Sequence, residues 1–152
     1  MQLTFRKADI DDAQLLVDIY NASFYADFVR YGECPGYGKT RQAMEDSIRR
    51  HPKQIALADG EPVGVISYEA QGSGAYEIGC LCVVPTWQGK GIVTRLFQHF
   101  LSLCTDWTRV TLITPADKEE NRRFYTEKCG FRMNGTELDG CVEVVRFLME
   151  RE

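Results

Sequence analysis

The sequence predicts one mixed α/β sheet of about seven strands flanked by about four helices. Short β-type runs are separated by turn signals typical of hairpins, at Asp59-Gly60, Gly72-Ser73-Gly74 and Asp139-Gly140. One apolar run, Ile78 to Val84, passes instead through a glycine turn into a stretch with helical spacing. The length of 152 residues, with 44% hydrophobic and 26% charged residues, predicts a single domain over 1–152.

The N-terminal elements follow from alternation, helical spacing and capping residues. Asp9, Asp11 or Asp12 can cap a first helix, Thr40 can cap a second, and Pro52 ends it. The aromatic segment between the helices shows no regular period. In order, we expect a strand at Leu3–Lys7, a helix carrying Leu15, Leu16, Ile19 and Tyr20, the aromatic segment Phe24–Lys39, a helix to about Arg50, and strands at Gln54–Ala58, Val63–Tyr68 and Tyr76–Val84.

The C-terminal elements begin with a long amphipathic helix. Its apolar side chains recur at three- and four-residue steps, at Val93, Leu96, Phe97, Phe100, Leu101 and Cys104. The order ends with a strand at Arg109–Ile113, a short helix at Asn121–Lys128 before Gly130, and strands from Phe131 onward and at Cys141–Leu148. The strand–helix–strand unit around the glycine turn should be parallel, and the hairpins antiparallel.

Composition and charge exclude several classes of function. The net charge of -4 and the pI near 5.3 argue against a nucleic-acid partner. No apolar run reaches the roughly 20 residues of a membrane span, and the N-terminus lacks a signal-peptide core. We therefore expect a cytoplasmic protein with six reduced cysteines. Cys80 and Cys82 read as small buried hydrophobes, and we expect no metal.

The glycine turn, Gln88 to Thr94, predicts a phosphate site. Unpaired N–H groups at a helix N-terminus bind anions, and glycines let a ligand approach the backbone. The P-loop motif does not fit, because it needs a glycine where this chain has Val84 and a serine or threonine where it has Gly91. The dinucleotide-binding fingerprint matches only weakly. It needs a third glycine where this chain has Thr94, and an acidic residue near Thr111.

A third pattern, Gln/Arg-x-x-Gly-x-Gly/Ala, matches Gln88-Gly89-Lys90-Gly91-Ile92-Val93 except at its last position. This stretch resembles the coenzyme A pyrophosphate loop of the GNAT superfamily of N-acetyltransferases. A second stretch, Asn121 to Phe131, resembles the GNAT segment in which an Asn opens a short helix that Phe-Tyr-x-x-x-Gly-Phe closes. The order of elements is also similar to that superfamily over nearly the whole chain, except in the segment Phe24–Lys39.

The resemblance implies acetyl-CoA as cosubstrate and assigns residues to it. The pyrophosphate would bind the main chain of Gln88, Gly89, Lys90, Gly91, Ile92, Val93 and Thr94. The pantetheine arm would pair with Leu81, Cys82 and Val83 like an added strand, and would also bond Asn121. Tyr125 would place its hydroxyl near the sulfur. Val93 departs from the Gly/Ala of the family, which brings a branched side chain close to the phosphates.

The implied reaction is attack of a primary amine on a thioester in a ternary complex. Tyr125 would protonate the departing thiolate, and backbone N–H groups near Cys82 or Val83 would stabilise the oxyanion. The attacking amine, with a pKa of roughly 10, must first lose a proton. Glu77, eleven residues before Gln88, holds the relation to the loop of the glutamate in histone-type members. A water chain, His51 and His99 are the rival routes.

The acceptor is expected to be a small cationic amine bound by the segment Phe24–Lys39. Its aromatics offer cation–π faces, and Asp27, Glu33 and Tyr31 are its candidate contacts. A lysine peptide and a homodimer both stay open. The competing hypothesis is a non-catalytic acyl-CoA-binding sensor on the same fold. Consumption of the thioester on addition of amines separates the two functions.

Overall fold

The computed structural model describes residues 1–152 and contains seven strands and four helices. Single 3-10 turns precede α1 and α3, at Ile10–Asp12 and Pro85–Trp87, and a π-helical turn at Phe124–Lys128 follows α4. The elements are β1 (Leu3–Lys7), α1 (Ala13–Tyr31), α2 (Arg41–Arg50), β2 (Lys53–Ala58), β3 (Glu61–Gly72), β4 (Ala75–Val83), α3 (Ile92–Leu103), β5 (Arg109–Pro115), α4 (Glu119–Arg123), β6 (Arg132–Asp139) and β7 (Val142–Glu150).

All seven strands form one sheet in the order β1-β2-β3-β4-β5-β7-β6. Every neighbouring pair is antiparallel except β4 and β5, which are joined through α3. The predicted turn chemistry is present: Asp59 and Gly60 both take positive φ, at 51° and 84°. The predicted mixed sheet with about seven strands and four helices is therefore confirmed.

The helices cover both faces of the sheet and enclose two cores. The main core lies under α3, where Phe97 and Phe100 pack with residues from the central strands and with Phe147 of β7. A smaller core lies under α1 and α2, where Leu16 and Met44 are fully buried. No helix has the length and apolar character needed to cross a bilayer. The cytoplasmic location stays a prediction.

Helix α1 is longer than the sequence predicts. It continues through Phe24, Tyr25 and Phe28 to Tyr31, and Gly32 ends it in the left-handed conformation at φ 78°. The second half of the helix packs on the sheet only lightly, and Tyr25, Phe28 and Val29 are exposed. Aromatic residues on its outer face therefore hide the helical period. The segment without regular structure begins only after Tyr31.

A β-bulge interrupts β4 beside its junction with β5. Ser67 of β3 pairs with Cys80, and the next residue, Tyr68, pairs with Ile78, so Gly79 is an extra residue. The alternation of side chains shifts at this point. Glu77 therefore lies on the face of Cys80, whereas an unbroken strand would place it on the face of Leu81 and Val83. Strict alternation would put Glu77 on the face of Leu81 and Val83 only if no bulge intervened, and the bulge at Gly79 removes that condition.

Candidate active site

The glycine loop is built to bind an anion. Gly89 and Gly91 take φ of 77° and 79°, a conformation that favours glycine. Six consecutive N–H groups, from Gly89 to Thr94, have no acceptor within the chain, and Arg95 makes the first helical hydrogen bond of α3, to the Gly91 carbonyl at 3.2 Å. A Cβ at either glycine would meet no atom within 4 Å. These donors therefore face open space at the positive end of α3.

The side chains of the loop divide into anchors and free groups. Gln88 Nε2 donates to the Val83 carbonyl at 3.0 Å, which fixes the loop to the end of β4. Lys90 is exposed and does not line the cavity in front of the loop. Val93 lines that cavity but also packs against the main core. Its branched side chain is thus accommodated partly by the protein, and its N–H stays free.

A cavity of about 500 Å³ extends from this loop along β4. β4 pairs with β5 only from Ala75 to Glu77, so its edge from Ile78 to Val83 has no strand partner on that side. Leu81, Cys82 and Val83 form one wall of the cavity. An unpaired strand edge offers backbone donors and acceptors to an extended, amide-bearing ligand. We name this space the donor cavity; its other walls include Ser23, Phe24, Asp27, Trp87, the glycine loop, Lys118, Asn121, Phe124 and Tyr125.

Tyr125 stands at the wall of the donor cavity with its ring in the main core. The π-helical turn carries it, and the ring packs edge-on against Phe131 and near Phe147, with centroids 5.9 and 5.5 Å away. The side chain is buried, and its hydroxyl makes no hydrogen bond within the chain. Burial raises the pKa of Tyr125 well above its ordinary value. The group is therefore a proton donor at neutral pH.

Asn121 shares the donor cavity with Tyr125 and is held by β5. Its Nδ2 donates to Thr114 Oγ1 at 3.0 Å, which leaves its carbonyl oxygen available to a ligand. Strand β4, helix α4 and the π-helical turn after it thus place the predicted residues around one cavity.

A second cavity of about 710 Å³ adjoins the first, and Phe24 and Asp27 line both. It lies on the face of the sheet that α1 and α2 cover. We name it the acceptor cavity. Two lysines, Lys39 and Lys53, face five carboxylates in its wall. Those five belong to Asp27, Glu33, Glu69, Glu77 and Asp139.

The three residues predicted to contact the acceptor all line this cavity, but each also bonds within the chain. Asp27 pairs with Lys118, and Tyr31 donates to the Asp117 carboxylate at 2.6 Å. Glu33 accepts from the backbone N–H of Cys141 at 2.6 Å. These contacts join the end of α1 and the segment after it to the far side of the cleft.

The candidate bases are at unequal distances from this space. Glu77 lines the acceptor cavity, where its carboxylate accepts from Gln71 at 3.1 Å and lies 3.6 Å from Arg146. His51 also lines it. His99 lies on the opposite face of the sheet, stacked on Phe5 with centroids 4.3 Å apart, and lines neither cavity. Glu77 and His51 are therefore the candidates that the geometry keeps.

Sequence reasoning missed several residues of the two cavities. Trp87 and Lys118 line the donor cavity, and Lys53 lies in the wall of the acceptor cavity. The sequence pattern could have identified Lys53, because residues two apart in a strand lie on the same face and Lys53 therefore shares a face with the buried Ile55. A lysine on the buried face of a strand is rare unless it is paired, which makes the position informative.

Comparison with known structures places the fold. Three solved structures align with this chain over nearly their full length. The PaiA N-acetyltransferase of Thermoplasma acidophilum, in complex with coenzyme A, has 18% identity and a TM-score of 0.77, over 96% of this chain and 98% of that one. Ard1 of Thermoplasma volcanium has 19% identity and a TM-score of 0.79, over 99% and 98%. The ribosomal-protein-S18-alanine N-acetyltransferase of Escherichia coli has 12% identity and a TM-score of 0.78, over 98% and 94%.

The sequence comparison assigns the family. Curated protein sequences give no significant match. The family model described as the acetyltransferase (GNAT) family, however, matches residues 14–131. That range includes the glycine loop, Asn121 and Tyr125 and covers well over half of the chain. The chain therefore belongs to the acetyltransferase (GNAT) family and is an acyltransferase.

Proposed function

We propose that this chain transfers the acetyl group of acetyl-CoA to the primary amine of a small cationic acceptor, by direct attack in a ternary complex. The observation that carries the proposal is the junction of the two cavities at Phe24 and Asp27. One cavity offers unpaired backbone donors, and the other has five carboxylates in its wall. An activated acyl group in the first would meet an ammonium-bearing ligand from the second beside the open edge of β4.

The donor cavity fits coenzyme A in its chemistry. The free N–H groups from Gly89 to Thr94 suit a pyrophosphate, and the open edge at Leu81–Val83 suits the amide groups of the pantetheine arm. Acetyl-CoA, when bound, supplies an acetyl group activated as a thioester. The similar PaiA structure is a complex with coenzyme A, which supports the same ligand here.

The residues of the chain then divide the remaining work. Backbone N–H groups near Cys82 or Val83 polarise the carbonyl that is attacked. Asn121 orients the arm, and the Tyr125 hydroxyl donates its proton to the departing sulfur. Glu77 accepts the proton of the attacking ammonium, directly or through water. The second N–H proton, released when the tetrahedral intermediate collapses to the amide, passes through water to the ionised Tyr125 and restores its hydroxyl. An alkyl amine with a pKa of roughly 10 is mostly protonated at neutral pH, so this step is required. No metal enters this scheme.

The fold alone does not identify the acceptor, because proteins of one fold can act on different substrates. Among the similar structures, the name of the Escherichia coli protein refers to an alanine of a ribosomal protein. Support for a cationic acceptor comes from the acceptor cavity itself. Asp27 and Glu77 have cationic partners within the chain, in Lys118 and Arg146. The other three carboxylates outnumber the two lysines and favour a ligand with positive charge, and Tyr31 and Phe24 add aromatic faces.

The function is tested by supplying the protein with acetyl-CoA and a panel of polyamines, amino sugars, amino acids and lysine peptides. Release of free thiol that depends on the amine, together with an acetylated product in the mass spectrum, is the expected result. Initial rates at varied concentrations of both substrates should give intersecting lines. Binding of acetyl-CoA without any amine-dependent release would instead favour the acyl-CoA sensor.

We expect Asp27→Asn or Glu33→Gln to raise KM for the amine about ten-fold, the effect of losing roughly 1.4 kcal/mol of charge attraction. KM for acetyl-CoA and the melting temperature should stay nearly unchanged. Both replacements keep the side-chain shape, so they remove charge rather than volume. Asp18→Asn on the same helix, outside both cavities, is the matched control. Loss of stability without a selective rise in amine KM would contradict the assignment.

A further inference from the structure

Lys53 is a buried cation without a counter-charge in the wall of the acceptor cavity. The residue is only 2% exposed. Its Nζ donates to Ser67 Oγ at 2.8 Å and lies 3.5 Å from the Tyr20 hydroxyl. No carboxylate oxygen lies within 4.0 Å of it, and the other titratable groups that act on its charge are the Cys80 and Cys82 thiols and the Lys39 ammonium. The ammonium also lies 5.8 Å from the centroid of the Tyr20 ring. A buried ammonium held by hydroxyls and an aromatic ring, with no carboxylate partner, is unusual, since buried charges are generally paired.

The surroundings of Lys53 open onto the ligand space. Lys53, Ser67 and Tyr20 all line the acceptor cavity. Lys53 pairs with Ser67 across β2 and β3, and Ser67 pairs with Cys80 across β3 and β4. The three residues thus lie in one row across the sheet. The row ends on β4 just past Glu77, where β4 separates from β5. Two strand spacings, about 10 Å, separate Lys53 from that edge.

The two kinds of charge occupy different parts of the acceptor cavity. Lys53 belongs to the start of β2, close to Lys39 and to the end of α2. The carboxylates come from the end of α1, from β3 and β4, and from the hairpin between β6 and β7. A ligand that fills this space therefore meets carboxylates over most of its length and an ammonium at one end.

Binding an anion would compensate the burial of Lys53. Burial lowers the pKa of Lys53 to about 8, so the side chain is still largely charged at neutral pH. The cavity thus holds a buried positive charge whose only partners are two hydroxyls and an aromatic ring. A ligand carboxylate would supply the missing charge, and the Ser67 and Tyr20 hydroxyls could also donate to its oxygens.

We propose that Lys53, with Ser67 and Tyr20, binds a carboxylate of the acceptor, so that the acceptor is an amine that carries a carboxylate several bonds from the amine that is acetylated. This inference rests on the proposed function, because it names the class of acceptor for the same site. It differs from that function in assigning an anion-binding end to a cavity whose wall is mostly acidic. A diamine would satisfy the carboxylates alone, whereas a dibasic amino acid would satisfy both ends.

The test compares amines that differ only in the carboxylate, namely lysine with cadaverine and ornithine with putrescine. In the wild-type protein, kcat/KM for acetylation of the side-chain amine should be about 10- to 100-fold higher for the amino acid of each pair, as a charge-assisted hydrogen bond provides. Lys53→Met should abolish that preference and leave kcat/KM for the diamine within about three-fold. Lys7→Met, at an exposed lysine of β1, should leave the preference unchanged.

The outcomes distinguish this inference from the function on which it rests. Acetylation of both members of each pair with equal efficiency would overturn the carboxylate site and leave the acetyltransferase assignment intact. So would a preference that persists in Lys53→Met. If no amine is acetylated, calorimetric titration of the protein with lysine and with cadaverine decides. Tighter binding of lysine that Lys53→Met removes supports the site, and equal binding overturns it. Lys53→Gln provides a second variant where Lys53→Met lowers the melting temperature.

Discussion

Tyr125→Phe is expected to lower kcat by roughly ten- to a thousand-fold while leaving the affinity for acetyl-CoA nearly unchanged. The replacement removes only the hydroxyl, which makes no hydrogen bond within the chain. Phenylalanine keeps the contacts with Phe131 and Phe147, so the main core should stay intact. A loss confined to kcat is the result expected when a group acts in the transition state rather than in binding.

The protonation state of Tyr125 decides whether its hydroxyl can donate a proton or accept one. Burial favours the neutral hydroxyl and raises its pKa above the ordinary value of about 10. The group is therefore protonated throughout the neutral range, as the proposed role of an acid requires. We expect the wild-type rate to show no loss from ionisation of this tyrosine below about pH 10.

Steady-state kinetics with the best acceptor, and the melting temperature with and without acetyl-CoA, are the measurements for Tyr125→Phe. Tyr76→Phe is the matched control, because it removes a hydroxyl bonded to Asp106 at 2.6 Å outside both cavities. Its kcat should remain that of the wild type. An unchanged kcat for Tyr125→Phe, with chemistry shown to be the slow step, would remove this residue from the mechanism.

The glycine loop could be located from the sequence because the features that define it lie close together along the chain. A buried strand, two glycines with positive φ and an amphipathic helix follow one another within about twenty residues, and each leaves its own pattern. Asn121 and Tyr125 could be assigned only through the resemblance of their stretch to a GNAT segment, and that resemblance could be recognised because the stretch is continuous. The structure places both groups of residues around one cavity.

The acceptor side could not be predicted in the same way, because it depends on contacts between distant residues. Asp27 meets Lys118, and Glu33 meets the backbone of Cys141, across 91 and 108 positions of the chain. No periodicity in the segment Phe24–Lys39 carries that information. The exposed aromatic residues of α1 also conceal its helical pattern, because they lie on the solvent-facing side, where a helix usually carries polar residues.

The face of Glu77 shows how one residue changes a prediction. Strict alternation holds only while pairing is regular, and the extra residue Gly79 moves Glu77 to the side of the acceptor cavity. Lys53 shows the converse case. Its phase in β2 follows the alternation of the strand, but only the fold shows that its neighbours, Ser67 and Tyr20, are hydroxyls and not carboxylates.

Acetyl-CoA should raise the melting temperature of the wild-type protein, and Gly91→Glu should abolish that rise. At a hundred times Kd, binding to the folded state adds about 2.7 kcal/mol, which corresponds to roughly 5–10 °C for a domain of this size. Gly91 precedes the first turn of α3, among the six free N–H groups. A Cβ there would meet no protein atom within 4 Å, so the glutamate can extend into the open space that we propose for the phosphates.

Backbone strain must be separated from the loss of the binding site. Gly91 has φ of 79°, so any side chain at this position lowers the stability of the free protein by about 1–2 kcal/mol. Gly135→Glu is the matched control: its φ is 98°, a side chain there also meets open space, and it lies on β6, away from both cavities. The control should melt lower than the wild type but keep the full rise with acetyl-CoA. Gly91→Glu should lose the rise itself, and a wild-type rise in that variant would show that the pyrophosphate binds elsewhere.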